Sequence, residues 1–129
     1  MRLPPGYRDF LLKHNGGRPI PNAFPLEGLE DNPFDTIQVL FRLKGQVQSN
    51  NLDWNFDTFN GRVPNNLLAI GCTDCGDLIC VSLFGDDAGS VLYWDHHHEP
   101  PVPSYENVYH IADSFEEFID SFRELPDQS

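Results

Sequence analysis

The chain has 129 residues, a length that fits one domain with a hydrophobic core of its own. The formal net charge is -12, and residues 63–129 carry all of it, with thirteen acidic side chains against one basic one, Arg123. Nucleic acid and anionic membranes are therefore excluded as expected partners, since both require clustered cations, and a basic protein partner is favoured.

The acidity has a simpler explanation too, because net negative charge keeps a cytosolic protein soluble. The sequence has no apolar run of 18 residues, and its first residues lack the apolar stretch of a signal peptide. Three cysteines, an odd number, argue against a disulfide framework. We therefore expect a cytoplasmic location and reduced thiols.

The first predicted element is a short helix over residues 5–14. Pro5 suits a first helical turn, and the Asn-Gly-Gly sequence at 15–17 predicts the helix end. Four residues at helical spacing share one face: Tyr7, Phe10, Leu11 and His14. Apolar alternation over Ile37–Lys44 then predicts a half-exposed strand. Residues 45–61 are polar and predict an irregular or short-helical crossover.

The second half predicts a run of strands. Three of them cover Leu67–Ile70, Asp77–Phe84 and Ser90–Asp95, and a fourth covers Asn107–Ile111. Asp77–Phe84 is apolar on both faces, which predicts a central strand with Cys80 in the core. The Gly-Asp-Asp-Ala-Gly sequence at 85–89 predicts a hairpin turn.

A final helix is predicted where Ser114 and Glu117 form a capping box, with the Ser114 hydroxyl accepting from the Glu117 amide. The order of helix, strands and helix predicts an α+β fold. We expect a single domain over residues 1–129, in which an antiparallel meander sheet is flanked by helices.

Four motifs follow one another in an order that resembles the SUKH superfamily. They are Leu3-Pro4-Pro5-Gly6-Tyr7 with Phe10-Leu11 and Asn15-Gly16-Gly17, then Leu68-Ala69-Ile70-Gly71 with Gly76-Asp77-Leu78-Ile79-Cys80, then Val91-Leu92-Tyr93-Trp94-Asp95-His96, and last Ala112-Asp113-Ser114-Phe115-Glu116-Glu117-Phe118. The superfamily is also described as the yeast cell-wall-assembly-regulator family. The resemblance runs from about residue 3 to residue 122.

The resemblance implies an α+β protein that is not an enzyme, because the family shares no catalytic residues. Most bacterial members are regarded as immunity proteins, which bind and block a toxin domain. The alternative is a regulatory or scaffold domain that binds another protein or a small ligand. Many members carry a further helix before the Leu-Pro. Without it, we expect apolar surface that a second copy could cover, and a homodimer is one expectation.

Candidate partner-binding residues are acidic side chains near turns, together with aromatic anchors. Asp86, Asp87, Asp95 and Glu99, with Asp74 and Asp77, are expected to be exposed and to form one negative rim. Such a rim would pair with the cations that a nuclease toxin needs for its substrate. Trp54 and Phe56 are the candidate anchors, with Trp94 beside them. A tryptophan in a small domain is more often part of the core.

Metal and catalytic sites are not predicted. Cys72 and Cys75 have zinc-knuckle spacing, but the sequence holds no second Cys-x₂-Cys pair. In an extended segment only His96 and His98 would point the same way, so the His-His-His-Glu sequence predicts a polar loop. No nucleophile elbow surrounds Ser82 or Ser90, and no glycine-rich phosphate loop opens a helix. We expect no cofactor and no metal.

Overall fold

The computed structural model describes residues 2–26 and 34–124, and within them it shows three α-helices and one six-stranded sheet. The elements in chain order are α1 (Pro5–His14), β1 (Ala23–Pro25), β2 (Phe34–Leu40), α2 (Leu52–Phe59), β3 (Leu67–Thr73), β4 (Leu78–Ser82), β5 (Val91–Trp94), β6 (Val108–Ala112) and α3 (Phe115–Asp120), with short 3₁₀ turns at Gln48–Asn50 and His96–His98. Every strand pairs antiparallel with the next one in the chain. The predicted α+β fold with a meander sheet is confirmed.

Helix α1 begins and ends where the sequence predicts. Asn15 adopts a left-handed conformation with φ of 49°, and its N–H donates to the Leu11 carbonyl at 2.9 Å. At Gly16, φ is 79°, and a Cβ atom would lie 2.5 Å from the carbonyl oxygens of Leu40 and Phe41. Only glycine fits there, because the chain leaving α1 passes directly against the end of β2.

The predicted strand at Ile37–Lys44 is displaced, because β2 starts earlier and ends at Leu40. The Asn15 side chain accepts from the Leu43 N–H at 2.8 Å and donates to the Leu43 carbonyl at 3.1 Å. These bonds occupy the backbone groups that a continued strand would pair, so Leu43 stays 51% exposed. Strand β1, with three residues, is too short to show a period and has no counterpart in the prediction.

Strand β4 lies at the centre of the sheet between β3 and β5, and every residue of β4 and β5 is buried. The prediction of a covered central strand is confirmed, and Cys80 is 0% exposed. Helix α2 packs against β3, and its Phe59 ring meets the Trp94 ring edge-on at 5.9 Å. Because these aromatic rings are closely packed between α2 and the sheet, substitutions that change their volume should be destabilising.

Helix α3 begins at the predicted cap. The Ser114 hydroxyl accepts from the Glu117 N–H at 3.1 Å, and the Glu117 carboxylate accepts from the Asp113 N–H at 3.4 Å. Phe118 packs against Phe24 of β1 at 5.5 Å. None of the helices within residues 2–26 and 34–124 is long and apolar enough to cross a membrane.

Candidate functional site

The predicted acidic rim is divided between the two ends of strand β5. Asp86 and Asp87 lie in the turn that precedes the strand, and Asp95 follows its last residue, Trp94. Ser90 and Asp95 are five residue steps apart, a span of about 17 Å at ~3.3 Å per residue. A single rim is therefore wrong, and each end of β5 has to be considered by itself.

The turn before β5 carries exposed acids and exposed aromatic rings side by side. We name this surface, made of Phe84, Asp86, Asp87 and Tyr105, the turn patch. Phe84 is 55% exposed and Tyr105 is 44% exposed, and Asp86 is exposed as well. The Tyr105 hydroxyl donates to one Asp87 carboxylate oxygen at 2.7 Å. The loop around Tyr105 is thereby held against the β4–β5 turn.

A hydrogen-bond network fixes the geometry of the turn patch from below. The Ser82 hydroxyl donates to the other Asp87 oxygen at 2.6 Å. The Asn66 side-chain amide donates to the Tyr105 hydroxyl at 2.8 Å and approaches the Phe84 carbonyl at 3.3 Å. Burial would raise the pKa of Asp87, but the hydrogen bonds from Ser82 and Tyr105 outweigh it and hold that pKa below its usual value.

At the other end of β5, Asp95 is buried, with 4% of its surface exposed, so the expectation of an exposed carboxylate there is wrong. One carboxylate oxygen accepts from the His97 N–H at 3.0 Å, and the other lies 2.5 Å from His98 Nδ1. The Asn107 side chain donates to the Asp95 carbonyl at 2.8 Å. Asp95 caps the 3₁₀ turn His96–His98 and joins it to the start of β6.

Asp77 is also buried, at 4%, and it serves as the centre of a second internal network. One of its oxygens accepts from the His96 N–H at 3.0 Å and lies 2.5 Å from His96 Nδ1. The other oxygen accepts from the Tyr93 hydroxyl. The Asp77 N–H donates to the Thr73 hydroxyl oxygen at 3.1 Å, which closes the β3–β4 turn. This acid therefore has a structural role, which the sequence did not indicate.

The Tyr93 hydroxyl lies between two carboxyl groups, Asp77 and Asp35, the second at 2.8 Å. A phenol has one hydrogen to donate, so one of the two carboxyl groups must supply the other hydrogen of the chain. Burial raises the pKa of Asp35, while Asp77 has the His96 ring beside it. Because burial raises its pKa, we expect Asp35 to supply that hydrogen.

Glu99 forms a bidentate pair with Arg62, through contacts of 3.1 and 2.8 Å. The Arg62 guanidinium also lies over the rings of Phe59 and Trp94, at 4.9 and 5.8 Å from their centroids. The hydrogen bonds from Arg62 hold the pKa of Glu99 below its usual value. This carboxylate already has a cation of its own, which distinguishes it from Asp86.

The two predicted anchors lie on α2. Trp54 is half-buried, whereas Phe56 is 43% exposed and lines an apolar groove of about 310 Å³. The aromatic residues of the turn patch, Phe84 and Tyr105, were missed. The sequence pattern places Phe84 within a covered strand, whereas β4 ends at Ser82, two residues before it. Tyr105 lies after a proline-rich run without any periodic pattern.

The cysteine and histidine residues are arranged differently from the prediction. Cys72 is half-buried and Cys75 is exposed, and all three thiols are free. The His-His-His sequence forms a 3₁₀ turn rather than an extended segment, so the expected convergence of His96 and His98 is wrong. Asp77, His96 and His97 instead place one potential ligand atom each within 4.8 Å of the others.

Comparison with known proteins identifies relatives of the whole chain. Residues 1–121 match the SMI1 / KNR4 family (SUKH-1). A curated relative, the SPbeta prophage-derived uncharacterized protein YokK of Bacillus subtilis (strain 168), is 31% identical over 138 residues. That similarity covers 97% of this chain and 69% of the relative.

Proposed function

The chain belongs to the SMI1 / KNR4 family (SUKH-1), and from that premise we propose that it is a non-catalytic binding protein that neutralises a toxin by direct contact. Bacterial members of this family are regarded as immunity proteins, and the resemblance of the four sequence motifs led to the same expectation. The proposed compartment is the cytoplasm, where free thiols remain reduced.

The observation that carries the proposal is the turn patch. It combines an exposed carboxylate, Asp86, and a half-buried one, Asp87, with two exposed aromatic rings. Hydrogen bonds from Asn66 and Ser82 hold it in place before any partner arrives. No Lys or Arg occurs in the sequence between Arg62 and Arg123. The surface therefore suits a partner rich in Lys and Arg, such as a nuclease toxin that uses these cations to hold nucleic acid.

The two kinds of side chain in the turn patch have different tasks in this proposal. Long-range attraction from Asp86 and Asp87 speeds association and selects a basic partner. Phe84 and Tyr105 supply apolar contact area at low entropic cost and slow dissociation. Tyr105 is already held by Asp87, so little side-chain freedom is lost on binding.

The test uses the toxin encoded beside the gene for this chain, with association and dissociation rates measured at low and at high salt. Replacing Asp86 and Asp87 together with Asn should slow association by about tenfold at low salt, and added salt should shrink that difference. Replacing Phe84 with Ala should leave association nearly unchanged and raise the dissociation rate.

The matched control replaces two exposed acids on the helices, Asp9 and Asp120, with Asn, which changes the net charge by the same amount. If the control slows association as much as the turn variant does, general acidity explains binding and the turn patch is not the docking surface. If neither the turn variant nor Phe84→Ala changes binding to a toxin that the parent chain does bind, the turn patch is rejected.

The alternative function, a regulatory or scaffold domain, is favoured by the apolar groove on the α1–α2 side. Its apolar lining is supplied by Leu3, Leu11, Leu43, Leu52, Phe56 and Leu68. A small apolar ligand would bind in this groove by burying its apolar surface against these side chains. Replacing Phe56 with Ser would abolish retention of such a ligand, detected by native mass spectrometry, while leaving toxin neutralisation through the turn patch intact. A parent chain that retains a ligand that Phe56→Ser loses would favour this alternative, and a parent chain that retains none would reject it.

A further inference from the structure

We propose that Asp77, His96 and His97 bind one divalent transition metal ion, and that Zn²⁺ is the best match to this set of ligands. The site lies at the exit of β5, at the opposite end of the strand from the turn patch. It is independent of the toxin-binding proposal, since none of its three residues belongs to that surface.

The geometry brings two imidazoles and one carboxylate into range of a single ion. The three ligand atoms lie within 4.8 Å of one another, and the centroids of the two imidazole rings are 4.0 Å apart. Zinc bonds to nitrogen and carboxylate oxygen are about 2.0–2.2 Å long, so ligands about 3.3 Å apart enclose the ion. The modest side-chain rotations needed are available, because His97 is exposed and the His96 side chain is 33% exposed.

The backbone that carries the two histidines is held at both residues by buried carboxylates. The His96 N–H donates to Asp77 at 3.0 Å, and the His97 N–H donates to Asp95 at 3.0 Å. The chain therefore cannot swing the two rings apart without breaking a bond to a buried acid. A ligand set on such a fixed turn loses little conformational entropy when the ion binds.

The carboxylate is held from behind in the same way. The Tyr93 hydroxyl donates to the Asp77 oxygen that faces away from the histidines, and the Asp77 N–H is bound by Thr73. Such outer contacts orient a metal ligand and tune its affinity. An ion at this point would replace the contact between Asp77 and His96 Nδ1, which lie 2.5 Å apart, and His96 would bind it as a neutral imidazole.

The chemistry of the ligands selects among metals. Two imidazole nitrogens and one oxygen suit Zn²⁺ and Co²⁺, whereas Mg²⁺ and Ca²⁺ prefer all-oxygen sites. A net charge of -12 adds a general attraction for cations. The sequence predicts no metal here, in part because an extended segment would direct His96 and His97 to opposite sides, and the 3₁₀ turn removes that objection.

The experiment titrates the tag-free chain with Co²⁺ and follows the visible absorption of the ion, then displaces Co²⁺ with Zn²⁺. We expect one equivalent to bind, with an intense spectrum typical of four-coordinate Co²⁺. His97→Ala should weaken binding by about tenfold or more, because loss of even an outer partner costs about 10–100-fold. Mg²⁺ and Ca²⁺ should not displace the ion.

The matched control is His98→Ala, which removes the third imidazole of the same turn while leaving the proposed ligands in place. Its affinity should stay within about twofold of the parent, since His98 is directed to Asp95 and not to the site. Equal weakening by His97→Ala and His98→Ala would show adventitious binding to a histidine run and overturn the proposal. Because His97 is exposed, its variant should fold, and circular dichroism verifies this.

Discussion

Aspartate side chains occur at both ends of strand β5 but in opposite environments. At its start, Asp86 and Asp87 lie in an exposed turn beside Phe84 and Tyr105. At its end, Asp95 is buried and Asp77 lies beside the same exit, and both carboxylates accept hydrogen bonds from the chain itself. Only four residues of strand, Val91–Trp94, separate the two environments.

The difference shows that the acidic residues of this chain have two separate roles, one electrostatic and one structural. In the turn patch, Asp86 contributes charge to the surface, where it attracts a partner and repels other anions, and Asp87 combines that role with internal hydrogen bonds from Ser82 and Tyr105. At the end of β5, Asp77 and Asp95 accept hydrogen bonds from backbone N–H groups instead of from water, and these bonds fix the conformation of the His96–His98 turn. A count of acidic residues merges these roles, whereas substitutions at single positions separate them.

The largest effect is expected at Asp77. Replacing Asp77 with Asn removes the charged acceptor for the His96 ring and places an amide hydrogen against a donor. The free energy of unfolding at pH 7 should fall by about 2–3 kcal/mol, as when a buried pair loses one partner. Urea unfolding followed by tryptophan emission measures this change.

Asp35 supplies the matched control, because it contacts the same Tyr93 hydroxyl and is buried as well. If Asp35 supplies the hydrogen of this chain, it has one donor and one acceptor, and an Asn side chain offers both. Asp35→Asn should therefore change the free energy of unfolding by less than about 1 kcal/mol. A loss as large as that of Asp77→Asn would mean that Asp35 is ionised and would refute the assignment of the proton.

A smaller effect is expected at Asp87. Replacing it with Asn weakens the hydrogen bonds from Ser82 and Tyr105 and should lower the free energy of unfolding by about 1 kcal/mol at pH 7. Asp86→Asn, in the same turn, should cost almost nothing. Unfolding curves of the two variants at equal salt test this contrast, and equal losses would contradict it.

The Asp87 contribution should also depend on pH. The folded state holds the pKa of Asp87 below its usual value, so the unfolded chain takes up a proton first as the pH falls. The stabilisation is therefore complete above a pH of about 4 and disappears as the pH drops through the folded-state pKa. The difference between parent and Asp87→Asn should shrink accordingly in urea unfolding at acid pH.

The smallest effect is expected for the ion pair of Glu99 and Arg62. The Arg62 side chain is 44% exposed and that of Glu99 27%, so water and salt screen their attraction. Glu99→Gln should reduce the free energy of unfolding by less than about 1 kcal/mol, and added salt should remove most of the difference. A larger loss that persists at high salt would place Glu99 with the structural acids.

The fold followed from periodic patterns and caps. Helix α1 was predicted to the residue, since Pro5 and the Asn-Gly-Gly sequence bound it on both sides. Strand β4 was predicted from apolar character on both faces, and β5 was predicted as its hairpin partner after the turn at 85–89. The end of β2 could not be predicted, because it depends on the Asn15 side chain, which is far away in the sequence and binds the backbone of Leu43.

The candidate sites could be predicted less well from the sequence than the fold. An aspartate beside a turn has the same sequence signature whether it is exposed, as Asp86 is, or buried, as Asp77 is. The distinction depends on donors such as Tyr93 and His96, which reach Asp77 only after the sheet has formed. The network beneath the turn patch likewise joins Asn66 to Tyr105, which are 39 residues apart in the chain.

The three cysteines differ in solvent exposure, so the labelling of their thiols can report on opening of the fold. Cys75 is exposed and should react with a thiol reagent within seconds, while Cys80 on β4 is 0% exposed and burial raises its pKa to about 12. In a chain with Ser at positions 72 and 75, each labelling event at Cys80 would then mark one opening of the central strand. The labelling rate would measure how often the sheet comes apart under conditions where nearly every molecule is folded.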